Sequence, residues 1–129
     1  MTKETTKHFK AGQRIITRGD DAHTAYLVLK GSVKILLDRD SRTVKIGELG
    51  PGAIFGETAL FGDGSYGAHV DAITDVEVAV IDPENFASKI EASDPMVRSM
   101  VLMLIERLRK TNEALLKSET REFMDIALV

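Results

Sequence analysis

The fold class predicted for this chain of 129 residues is mainly β: a jelly-roll (double-stranded β-helix) barrel, then a short helix and a long one. Three observations carry that expectation. Up to about Ile81, short apolar and β-branched runs alternate with turn residues. All ten glycines lie between Gly12 and Gly67, and none follows. After Pro83 the apolar spacing becomes helical. The expected division is therefore a β-roll over residues 1–82 and a helical segment over 83–129, forming one structural domain.

Each strand has a boundary that can be read. Arg14-Ile15-Ile16-Thr17 runs into Gly19-Asp20, and Ala25-Tyr26-Leu27-Val28-Leu29 ends at Lys30-Gly31. Ser32-Val33-Lys34-Ile35-Leu36-Leu37 follows that corner. Thr43-Val44-Lys45-Ile46 leads into Gly47 and then Gly50-Pro51-Gly52, and Val76 to Ile81 alternates cleanly. Several short strands at this spacing indicate a barrel or a double-sheet jelly roll. The corners at Gly19 and Gly31 need positive φ, which glycine adopts without a Cβ penalty.

Pro83 suits the first turn of a helix, with Asp82 as N-cap, so Glu84 to Ala92 is read as a short helix. Ser93 or Asp94 caps the next helix, with Pro95 in its first turn, and it is expected from Met96 to about Phe123. That length exceeds the usual globular helix. Val97, Val101, Leu104, Leu108, Thr111 and Leu115 recur in steps of four and three, a heptad seam suited to an identical helix. A homodimer through residues 96–123 is the expectation, the alternative being a helix that covers its own barrel. Met100, Leu102, Met103 and Ile105 broaden the first half, so one face there is expected to pack on the barrel while another meets the partner.

Composition removes several function classes. With no cysteine, disulfides, thiolate metal sites and cysteine nucleophiles are excluded. His8, His23 and His69 are scattered without metal-ligand spacing. No nucleophile elbow, HExxH or paired-carboxylate spacing occurs, so the chain is read as not an enzyme and as needing no cofactor. The polar N-terminus and the absence of a long apolar run lead to the expectation of a soluble, cytoplasmic chain with no membrane partner. A net charge of −3 gives no electrostatic reason to bind nucleic acid.

The functional signal is concentrated between Phe55 and Ala72. Phe55-Gly56-Glu57-Thr58-Ala59-Leu60 puts a glycine at the mouth of a very short helix, where unpaired backbone N–H groups make a seat for a phosphate. This run resembles the phosphate-binding cassette of cyclic-nucleotide-binding domains, roughly FGE-x-A-L, a short loop, then R-[ST/A]-A-x-V-x-A. Ala68, Val70 and Ala72 match the end in register, while Tyr66 stands where the family has arginine and Gly67 where it has serine, threonine or alanine. Three further stretches carry the likeness: Phe9 to Asp20, the hairpin Ala25 to Lys34, and Leu49 to Ile54. Leu104 to Glu113 resembles the long helix that follows the barrel in catabolite-activator-like members.

The resemblance implies a regulatory sensor with cyclic AMP or cyclic GMP as its ligand. Backbone groups at Gly56 and its neighbours would contact the cyclic phosphate, and Glu57 would accept a hydrogen bond from the ribose 2′-hydroxyl. Phe55, Thr58, Ala59, Tyr66, Gly67 and Ala68 complete the implied pocket, Ala59 being small enough for close approach. Thr111 and Asn112 fall where the family's helix lies over the base and crosses the dimer interface, and there they either read a purine edge or fix helix register. Tyrosine brings neither the charge nor the fork of arginine, so weak or altered binding is expected. His69 could substitute, but strand alternation with Tyr66, Ala68, Val70 and Ala72 points it the other way, as an outward-facing strand residue. The alternatives are a pseudo-sensor that serves as a dimerisation or protein-interaction module, and the regulatory half of a transcription regulator. Arg121 to Val129 is too short for a helix-turn-helix, so DNA binding by this chain alone is not expected.

Overall fold

The computed structural model describes residues 5–61 and 64–117, with the side chains of 58, 61, 108, 109 and 111–117 outside the description. Eight strands occur in the order β1 (Thr6–Phe9), β2 (Arg14–Ile16), β3 (Ala25–Lys30), β4 (Val33–Arg39), β5 (Arg42–Leu49), β6 (Ile54–Phe55), β7 (His69–Ala72) and β8 (Val76–Ile81). They form two antiparallel four-stranded sheets, ordered β1-β8-β3-β6 and β2-β7-β4-β5. The expected jelly roll is therefore present as two facing sheets rather than a closed barrel. The strands read from sequence all exist, shifted by a residue or a few at their ends.

The core lies between the sheets because every strand alternates toward it. Val33, Ile35 and Leu37 of β4, Val70 and Ala72 of β7, Val28 of β3, and Val76 and Val78 of β8 meet there, with Phe55 fully buried. Tyr26 stacks on Phe55, their rings 5.2 Å apart, and meets Phe9 edge-on at 6.5 Å. The corner at Gly31 is dictated by space as well as by φ. A Cβ there would lie 2.2 Å from the Asp75 carbonyl oxygen, and φ is +88°.

Two helices follow. In α1 (Pro83–Glu91), the Asp82 carboxylate accepts from the Asn85 N–H at 3.0 Å, the expected cap. In α2 (Pro95–Lys117), Asp94 caps through its carboxylate, which accepts from the Met96 N–H at 2.9 Å. The expected extension to Phe123 lies outside the described residues. One expectation fails on α2: no described side chain of the helix is buried, so its first half does not lay a face on the β-sheets. Met96, Val97, Met100, Leu102, Met103 and Leu104 are exposed, and α2 packs on α1. The break at Ser93-Asp94-Pro95 separates α2 from α1. Among the described residues no helix is long and apolar enough to cross a membrane.

Candidate functional site

The connection from β6 to β7 holds the cassette. Phe55 anchors its start in the core, and a 3₁₀ turn, Glu57–Phe61, follows Gly56. The Gly56 carbonyl accepts from the Ala59 N–H at 3.2 Å. Gly56 has φ +72°, and a Cβ on it would lie 2.9 Å from Ile16 Cδ1, 3.2 Å from the Thr24 carbonyl oxygen and 3.3 Å from Tyr66 Cε1. Only glycine fits that backbone in that space.

The Tyr66 ring lies against Gly56. Its hydroxyl donates to the Thr24 carbonyl oxygen at 2.6 Å and accepts from the Thr24 N–H at 3.2 Å. Beneath the ring, a cavity of about 10 Å³ is lined by Ile16, Gly56, Tyr66, Gly67, Ala68 and Val70. That is about the room of one water, far less than a phosphate needs. The main chain of Tyr66 is fixed as well. Its N–H donates to the Asp20 carbonyl and its carbonyl accepts from the Gly19 N–H, both at 3.0 Å, while the Gly64 carbonyl accepts from the Ala22 N–H at 3.2 Å. The cassette is thus laced onto the loop between β2 and β3.

Glu57 is the electrostatic anomaly. Its Oε2 is buried with no hydrogen-bond partner among the described residues. Burial pushes its carboxyl up to about 7, partly opposed by a hydrogen bond to its own backbone. A buried carboxyl with one oxygen unpartnered is suited to a ligand hydroxyl.

The structure brings Phe55, Gly56, Glu57, Ala59, Tyr66, Gly67 and Ala68 into one neighbourhood. Phe55, Ala59 and Ala68 are buried, and Phe55 and Ala68 belong to the core beneath the site. The side chains of Thr58, Thr111 and Asn112 lie outside the described residues. Reasoning from sequence missed Ile16 and Thr24. Nothing local marks Thr24, because it acts through its backbone, whereas Ile16 belongs to an apolar run that was legible.

His69 points away from the core as alternation requires, but it is not exposed; it is buried on the opposite face of its sheet, 6% accessible. The covering comes from β4, where Leu36 is its register partner and Asp38 Oδ2 lies 2.7 Å from Nε2. That bond holds the Asp38 carboxyl below its ordinary range, aided by the Thr43 hydroxyl. Among the described residues no contact takes His69 into the seat.

Comparison with known proteins bears on the family. The cyclic nucleotide-binding domain family model matches residues 6–93. The cAMP-activated global transcriptional regulator CRP of Haemophilus influenzae is 31% identical over 92% of this chain and 53% of its own length. The regulator Vfr of Pseudomonas aeruginosa, also described as cAMP-activated, is 32% identical over 95% of this chain and 56% of its own. The chain spans about half the length of these curated relatives. Among solved structures, the EAL enzyme Bd1971 in a half-site-occupied form superposes with a TM-score of 0.80 at 31% identity, covering 85% of this chain and 99% of that chain. The same enzyme has been solved bound to cAMP and to cGMP, with TM-scores of 0.65 and 0.66 over 29% and 30% of those chains. With the fold and the family match in agreement, this chain belongs to the cyclic nucleotide-binding domain family.

Proposed function

We propose that this chain is a regulatory, non-enzymatic module that takes cyclic AMP or cyclic GMP weakly or with altered preference, because Tyr66 stands in place of the cassette arginine and closes the phosphate seat. The observation that carries this reading is the Tyr66 ring across Gly56, held by two hydrogen bonds to the Thr24 backbone. For a phosphate to enter, the ring must leave, forfeiting about 1 kcal/mol for each of those bonds. The missing cation costs more. Removing one partner of a buried, hydrogen-bonded charge pair typically weakens binding by ~2–5 kcal/mol. The absent charge therefore outweighs the ring as the limit on affinity.

Glu57 supports retention of some ligand contact, since its unpartnered oxygen would accept from a ribose hydroxyl. Gly56, Gly67 and Ala68 would line the phosphate end, with Phe55, Thr58 and Ala59 shaping the turn. The 3₁₀ turn touches α1, and α1 touches α2. A ligand that shifted the turn would be read out by the helices, provided it favoured one of two arrangements. In this reading α2 pairs with its copy through the Val97–Leu104 face, and Thr111 and Asn112 meet the base or set the register.

Titration calorimetry of the chain with cyclic AMP and cyclic GMP tests the proposal. Measurable heat with weak affinity is expected. Absence of heat at millimolar ligand would overturn it in favour of the second reading, a pseudo-sensor in which Tyr66 fills the old seat permanently. The specific observation favouring that second reading is the ~10 Å³ cavity, smaller than any nucleotide.

A further inference from the structure

Among the described residues, His69 is the one buried residue with a charged or strongly polar side chain, and it faces away from the proposed nucleotide seat. Both ring nitrogens are engaged. Nδ1 lies 3.0 Å from the Arg18 backbone nitrogen and Nε2 lies 2.7 Å from Asp38 Oδ2. An amide N–H can only donate, so Nδ1 carries its lone pair and the proton of the neutral ring sits on Nε2, donated to Asp38.

Arg18 belongs to the turn in which the Asp20 N–H donates to the Thr17 carbonyl at 3.2 Å. The same turn holds the Tyr66 backbone through Gly19 and Asp20, each at 3.0 Å. His69 therefore clamps, from the outer face, the loop that fixes Tyr66 on the inner one.

We infer that His69 is a proton-sensitive latch: charging the ring places an N–H at Nδ1 against the Arg18 N–H, breaks that bond, and loosens the turn that holds Tyr66 over the seat. This rests on the reading that Tyr66 closes the seat. The proton comes from solvent and goes to Nδ1, while the Nε2 proton stays between the ring and Asp38.

The groups around His69 come from five elements. Asp38 and Lys34 lie on the same face of β4, with Leu36 between them. Thr43 and Lys45 come from β5, where Thr43 donates to Asp38 at 3.1 Å. Asp71 of β7 is paired with Arg14 of β2 at 2.7 Å. Arg18 lies in the turn, close enough to help lower Asp38.

The test is a nuclear magnetic resonance titration of the full chain between about pH 5 and pH 8, the range in which imidazoles change charge. It follows the His69 ring nitrogens and the backbone amides of Arg18, Gly19 and Tyr66. The latch predicts that all three amides move along the titration curve of the ring. It also predicts that His69→Gln, which can accept from Arg18 but cannot gain a proton, flattens their response. Two results would overturn it: a ring that titrates while the amides stay fixed, or amide curves that persist in His69→Gln and so belong to Glu57 or another group. Where that variant does not fold, Glu57→Gln separates the two groups: amides that still follow the ring uphold the latch, and amides that stop responding overturn it. Amides that follow His69 in a chain that binds no nucleotide would uphold the latch and reject only the ligand reading.

Discussion

Glu57, Tyr66 and Gly56 are the residues on which the proposed site turns. Because burial raises the Glu57 carboxyl from 4.5 to about 7, the folded chain binds the proton more tightly than the unfolded one. Stability contributed by the neutral form is full below about pH 4.5 and declines as pH rises through about 7. The expected loss across that window is on the order of 2 kcal/mol after allowing for partial solvent access. Urea unfolding of Glu57→Gln against wild type at about pH 5 and pH 8 checks this. The variant should be more stable at the higher pH by about that amount and nearly equal at the lower, whereas parallel pH profiles would contradict it. Gly56 and Glu57 were legible because the cassette pattern is contiguous. The Tyr66 bonds were not, since their partner is the backbone of Thr24, 42 residues away. The burial of His69 was hidden for the same reason: alternation gave its direction, but its cover arrives from Asp38, 31 residues distant.

Among the elements, β3, β4 and β8 were readable from their apolar runs, and α1 from Asp82 and Pro83. β1 and β6 were not, being short; β1 presents mostly exposed residues, and its pairing with β8 is what makes it a strand. The β4–β5 hairpin also escaped notice. Its turn uses Asp40 and Ser41, both at positive φ, where Asn-Gly or Asp-Gly would have announced it. Gly31, by contrast, was both predicted and required. Gly31→Ala should destabilise the fold by about 2–4 kcal/mol through strain and overlap with Asp75. An unfolding midpoint left unchanged would show that the corner can relax. On α2, exposure of Val97 and Leu104 is the cost of a free helix and the opportunity of a paired one. Sedimentation velocity on Val97→Glu/Leu104→Glu should report a monomer where the wild type is a dimer. Identical sedimentation of the two would remove the proposed seam.

At the scale of the whole molecule, the two sheets provide a rigid frame and the cassette is fastened to it at both ends. Phe55 fixes one end in the core, and hydrogen bonds to the β2–β3 loop fix the other. The family was legible in sequence because its motifs recur in order along nearly the whole chain. The state of the pocket was not, because it depends on which way one aromatic ring lies, and only three-dimensional packing decides that. The central claim is that the Tyr66-for-arginine exchange is what weakens the site. Its most direct test is the cyclic AMP affinity of Tyr66→Arg beside wild type, measured by titration calorimetry. Restoring the cation to an otherwise intact cassette should tighten binding by roughly 30- to 4,000-fold. An arginine variant that folds normally yet binds no better than wild type would contradict the account.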